Sequence, residues 1–220
     1  MSQVNLQDGL EVWYTFDDVD YASGRNIVRD RSGNGRHLTL SGGVSMGNPS
    51  PVGEGSSFDG SDDFGETDYS TVNNEFSVFL LAKSDTFPIS ARTFNMGDPV
   101  NAKNAWGLKV GDGEIGFGVA DGSDASFANI SNVSGWVACV CKAKAGDYTS
   151  IKDWNGNTSF NDSAVDFTTA PTYPLCVGKR SDFGQYQNCD VAMAAYWSRT
   201  LTDSETDSLL DTTARRVSYL

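Results

Sequence analysis

The densest run of potential chemistry in this 220-residue chain is Val28 to Leu40, V-R-D-R-S-G-N-G-R-H-L-T-L. It joins a carboxylate at Asp30, a Ser-Gly-Asn-Gly turn and the only histidine, His37. Gly33 and Gly35 relieve the steric bar on positive φ, and Asn34 tolerates that region better than most residues. Such a loop can curl and turn carbonyl oxygens inward beside Asp30, and carbonyls with carboxylates are the donors a hard cation such as calcium takes. The same residues also suit a tight loop closed by an Asx-type hydrogen bond. A second run, Ser57-Phe-Asp-Gly-Ser-Asp-Asp-Phe64, repeats the theme of aromatic, turn and carboxylates.

Other chemistries find little support. A nucleophilic triad needs a histidine beside a serine elbow, and His37 lies in the glycine-rich loop instead. With no C-x-x-C and one histidine, a zinc site is not expected. Cys139 and Cys141 alternate with Ala138 and Val140 as small apolar strand residues, Cys176 lies in another strand-like run, and Cys189 adjoins a polar loop. All four are expected as reduced thiols. Sugar recognition asks for an aromatic plane on which a pyranose can stack its C–H face. Trp154, beside a tight turn, and Phe183 and Tyr186, in a polar loop, are the candidate platforms. Trp13 and Trp106 sit in strands and are expected to pack inside.

Charge narrows the partners. The chain has 29 acids against 16 bases, a net charge of −13, and 23 of the acids are aspartates. Such a surface repels phosphate backbones and anionic lipid, so nucleic acid and membrane surfaces are not expected partners. Dense carboxylates also suit a protein working in high salt, where their mutual repulsion is screened. No apolar run reaches the eighteen or so residues of a membrane span, and Met1-Ser2-Gln3-Val4-Asn5 is too polar for a secretory signal.

The elements that must hold these residues are strands. Leu10, Val12, Tyr14 and Phe16 alternate on one face. Phe76 to Lys83 is apolar on both faces, as in a central strand covered on both sides. Gly111-Asp112-Gly113 and Asn155-Gly156 predict hairpins. Further strands are expected at 91–96, 106–110, 114–119, 135–142, 148–154, 175–178 and 191–197, and the stretch from Gly42 to Gly55 reads as loop. Thr202-Asp-Ser-Glu205 predicts a capping box opening one short helix, and 212–220 reads as an apolar-ended assembly tail. With a turn signal about every ten residues and no linker, residues 1–220 read as one all-β, two-sheet sandwich.

Several stretches in order resemble the laminin G-like domains of the concanavalin A-like lectin/glucanase superfamily. Gly9-Leu-Glu-Val-Trp-Tyr-Thr-Phe16 resembles the opening strand, and Asp30-Arg-Ser-Gly-Asn-Gly35 with His37-Leu-Thr-Leu40 the D-x-S-G-N-G signature. Ser57–Phe64 is similar to the S-F-D-G-x-D-D step, and Phe76-Ser-Val to the next strand. Gly135-Trp136 and Trp154-Asn-Gly156 resemble later strands, and Tyr196-Trp-Ser-Arg-Thr-Leu-Thr-Asp-Ser-Glu205 the closing strand and helix. The resemblance implies a jelly roll and often calcium, with Asp30, Asn34, His37 and Asp63 as its ligands. Where relatives carry an acid in the last strand this chain has Val191-Ala-Met-Ala194, so either Asp190 serves from a shifted register or the site is weak or absent.

The superfamily also implies a test for catalysis, because its glucanases use an E-x-D-x-E strand. Glu66-Thr-Asp68 approaches that pattern without its third acid, so no enzyme is expected. The resulting expectation is a non-catalytic structural or adhesion protein. It would be a homo-oligomeric or mixed subunit of a surface assembly, such as a virion decoration, turret or tail fibre from a high-salt environment, meeting cell-surface glycan. The alternative is a free-standing carbohydrate-binding module, which without a signal would be cytoplasmic.

Overall fold

The computed structural model describes residues 4–17, 26–86, 91–98, 103–111, 113–121, 124–163, 165–167, 173–180 and 185–217. In chain order the strands are β1 Leu10–Thr15, β2 Ile27–Val28, β3 Leu38–Ser41, β4 Ser45–Ser50, β5 Gly53–Asp59, β6 Phe64–Glu66, β7 Glu75–Lys83 and β8 Phe94–Asp98. They continue as β9 Lys103–Gly111, β10 Glu114–Ala120, β11 Ala125–Ser131, β12 Val137–Lys144, β13 Tyr148–Asp153, β14 Thr158–Asn161, β15 Leu175–Val177 and β16 Asn188–Trp197, followed by helix α1, Asp203–Val217. Two antiparallel sheets result. Sheet A runs β14-β13-β12-β7-β16-β5-β4, with β1 also on β16, and sheet B runs β11-β10-β9-β8-β15-β6-β3-β2.

The order of layers explains the hydrophobic pattern. Phe76, Val78 and Leu80 of β7 face the space between the sheets, where Trp106, Phe94, Phe117 and Tyr196 also meet. The Trp106 and Tyr196 rings stack there at 5.8 Å and 8°. Phe79 and Leu81 of the same strand face outward and pack under Leu209 and Leu210 of α1. The two-sided apolar run is thus shared between a sandwich core and a helix layer. Trp13 and Trp106 pack as expected, the former against Phe79 and Trp197. All four cysteines are free and buried.

The helix is anchored at its first turn. Thr202 Oγ1 accepts the Glu205 N–H at 3.2 Å, and the Glu205 carboxylate accepts the Thr202 N–H at 2.8 Å, closing the predicted capping box. Arg199 donates to both oxygens of Glu205, at 2.8 and 2.7 Å, tying β16 to α1.

Three expectations need correction. The stretch 42–55 is largely a hairpin of β4 and β5, whose small Gly and Ser residues carry no strand pattern. β11 escapes notice because two of its three inward residues are Ser126 and Ala128. Helix α1 continues through Val217, so most of the supposed tail is helix, with Thr213 donating its hydroxyl to the Leu209 carbonyl. Residues 218–220 lie outside the described residues, as does the hairpin residue Asp112.

Candidate functional site

The loop from Val28 to Leu40 is a hydrogen-bonded knot. Asp30 is 8% exposed, and its Oδ1 accepts the backbone N–H groups of Trp13 and Ser32 at 3.0 and 2.9 Å. Its Oδ2 accepts from the Ser32 hydroxyl and the Arg36 N–H at 2.8 and 3.0 Å. Asn34 Nδ2 donates to the carbonyls of Leu10 and Glu11, and His37 Nδ1 accepts the Asp30 N–H at 3.1 Å. Gly33 and Gly35 hold φ of 93° and 74°, as the turn requires. Arg36 lies 3.9 Å from the Tyr69 ring and pairs with Glu11. Burial, and then the Glu11 charge, push the Tyr69 phenol up to about 12.

The five residues implied as calcium ligands are not gathered around one point. Asp63 is 3% exposed and accepts the N–H groups of Gly43 and Asp59. Its acidic companions are Asp59 and Asp62, and among the described residues these three form the only such group of three. Asp190 lies elsewhere on β16, accepting from Ser57 and pairing with Lys83 at 3.1 Å. The carboxylate oxygens of Asp30 are taken up by four N–H and O–H donors, which suits an internal brace and leaves them poorly placed for an ion. The set as a whole does not fit a calcium site.

The aromatic candidates also separate. Trp154 is half-buried against the apolar layer between sheet A and α1. Phe183 lies outside the described residues. Tyr186 bridges to Lys179, and its ring lies 6.1 Å from Phe64 at 43°.

Phe64 opens onto the feature best suited to a ligand. Strand β6 turns Gly65 inward, where a Cβ would meet Leu38 Cδ2 at 2.5 Å, so Phe64 and Glu66 point out from sheet B. Thr39 and Ser41 of β3 alternate the same way and pair in register with Glu66 and Phe64. With Thr67, Asp68 and Ser70 they line an open groove of about 500 Å³. Lys179 Nζ sits 3.6 Å from the Phe64 centroid and 3.1 Å from Glu66 Oε2. Buried Cys176 donates to the same Glu66 oxygen at 3.4 Å. An aromatic, hydroxyls and carboxylates therefore share one wall, while α1 covers the middle of sheet A on its outer side. In the sequence Glu66 and Asp68 stand out as a pair of acids, and Phe64 only ends a turn. The F-G-E alternation around an inward glycine was its available signal.

No family model and no curated protein matches the sequence. Among solved structures, the receptor-binding domain of a botulinum neurotoxin C/D mosaic serotype aligns with a TM-score of 0.71 and 13% identity, covering 94% of this chain and 52% of that one. The binding domain of Paraclostridial Mosquitocidal Protein 1 aligns with a TM-score of 0.67 and 13% identity, covering 94% of this chain and 53% of that one. The binding domain of botulinum neurotoxin DC in complex with SialylT aligns at 0.69 and 11% identity, covering 94% and 52%. The chain thus spans about half the length of each of these structures. At such identity the likeness is one of fold, and it places none of their ligands on the matched half.

Proposed function

We propose that this chain is a non-catalytic recognition module of the laminin G-like kind that holds an oligosaccharide in the groove on the outer face of sheet B. The observation that carries the reading is the joint placement of Phe64, Glu66, Thr39 and Ser41 on one sheet face that the described residues leave open. A pyranose stacks its apolar face on an aromatic ring and spends its hydroxyls on carboxylates and hydroxyls. The groove offers both. Its open shape suits a chain of sugars more than an enclosed small molecule. That one solved structure of similar fold is a binding domain in complex with SialylT is consistent with a binding role.

Catalysis is the weaker use of the same acids. Glu66 Oε2 is engaged by both Lys179 and Cys176, which ties the carboxylate to the sheet instead of setting it opposite a second carboxyl across a bond. A glycan array probed at low and at molar salt tests the proposal, with soluble hits then incubated and checked for cleavage. Binding without cleavage supports it, and silence on every sugar in both salts overturns it.

A second reading, favoured by the net charge of −13, makes the domain a subunit of a surface assembly in high salt, such as a virion decoration or tail-fibre protein. Its mark is a native mass that rises to a defined oligomer in molar salt. A monomer at every salt concentration removes it.

A further inference from the structure

A second groove lies on the opposite face of the sandwich, outside sheet A and beside the first turns of α1. Its volume is about 400 Å³. Phe160 of β14 stands 65% exposed, the most exposed large apolar side chain among the described residues. It stacks on Tyr148 of β13 with centroids 5.4 Å apart and planes at 23°. Nothing in the sandwich needs this shelf, because β14 alternates and Phe160 points away from the core. Exposed aromatic area of this kind, rimmed by polar groups, marks a contact surface.

The rim is charged but balanced. Lys142 Nζ pairs with Asp203 at 2.8 Å, and Lys152 pairs with Asp207. Ser150 of β13 pairs in register with Lys142 of β12, two residues from Lys152, and also lines the groove. The Thr206 hydroxyl, in the helix wall of the groove, is buried with no hydrogen-bond partner among the described residues. Two ammonium groups and two carboxylates leave no net local charge, and the rest of the molecule is strongly anionic. A phosphorylated or polyacidic ligand is therefore disfavoured. Alternating donors and acceptors beside an aromatic plane match the vicinal hydroxyls and C–H face of an uncharged sugar.

We infer that the groove of Tyr148 and Phe160 is a second carbohydrate site, selective for neutral oligosaccharides, so that a single domain carries two sites on opposite faces. The inference extends the proposed function, and its test separates the two. Titration calorimetry of the wild type, Phe160→Ser and Phe64→Leu with cello-, xylo-, chito- and maltohexaose reads stoichiometry directly. Phe160 is exposed, so its replacement leaves the fold intact, and circular dichroism checks both variants.

Two equivalents in the wild type and one in each variant support both sites, with the lost site weakened at least tenfold. One equivalent that survives Phe160→Ser and fails in Phe64→Leu overturns the second site and leaves the proposed function standing. One equivalent that fails only in Phe160→Ser keeps the second site and overturns the proposed groove. No heat with any of the four sugars overturns the second site as a neutral-sugar site.

Discussion

Phe64 and Tyr186 face each other at 6.1 Å although they come from distant parts of the chain, and Lys179 Nζ caps the Phe64 ring at 3.6 Å. The pair ties β6 to the stretch leading into β16 and sets one wall of the groove on sheet B. An aromatic plane is worth about 0.5–1.5 kcal/mol beyond the area it buries. Phe64→Leu keeps apolar bulk but removes the plane. It is expected to weaken oligosaccharide binding about tenfold, read by titration, with a melting temperature close to that of the wild type.

Asp30 acts as a brace for the opening strand and the loop that follows. Replacing it with Ala strands the N–H groups of Trp13, Ser32 and Arg36, while the Ser32 hydroxyl keeps the Glu11 carbonyl as acceptor. Buried donors left without acceptors cost about 1–3 kcal/mol each. Asp30→Ala is expected to lower stability by about 3 kcal/mol or more, measured in urea, and by the same amount with calcium or with chelator. Asp30→Asn keeps one acceptor oxygen and should cost less. A loss of stability seen only when calcium is present would return Asp30 to the role of a metal ligand.

The fork of Arg199 on Glu205 gives the helix anchor a pH dependence. Arg199 holds the Glu205 carboxyl down from 4.5 to about 2. A depressed folded value means that the stabilisation is complete above the unfolded value of 4.5 and is lost as pH falls from there toward about 2. Loss of a cap costs about 1 kcal/mol, or about 2–4 °C for a domain of this size. Glu205→Gln is therefore expected to melt lower than the wild type near neutral pH, and the two curves should converge near pH 2. A gap independent of pH would contradict the ion pair.

The thiols should be silent in the folded protein. Burial pushes Cys141, Cys176 and Cys189 up from their usual range, and all four cysteines are enclosed. Iodoacetamide at pH 8 is expected to modify none in native buffer and four in denaturant, counted by mass.

The fold was legible where burial leaves a period in the sequence. β1 and β7 carry strong apolar patterns, and Thr202 and Glu205 are spaced as a capping box demands. The strands β4, β5 and β11 were harder because close packing there is achieved with Gly, Ser and Ala, which share their composition with loops. Gly55 of β5 shows the cause: a Cβ on it would meet the Val191 carbonyl oxygen at 2.9 Å. The site was less legible than the fold. Tyr186 was singled out, but its neighbour Phe64 becomes part of a wall only through the pairing of β3, β6 and β15, a relation no local pattern reports. The lysines and aromatics of the second groove lie on three strands and their acidic partners on a helix, so the sequence scatters what the topology collects. The Asp30 loop was prominent for a different reason. Its residues are tightly specified, but by the hydrogen bonds that close the loop.

The central claim is a place, so the most direct measurement is a residue-resolved NMR titration of the native chain with an oligosaccharide that it binds. Amide shifts are expected to concentrate at Thr39, Ser41 and the run from Phe64 to Ser70. Saturating binding that leaves those amides unmoved would contradict the account.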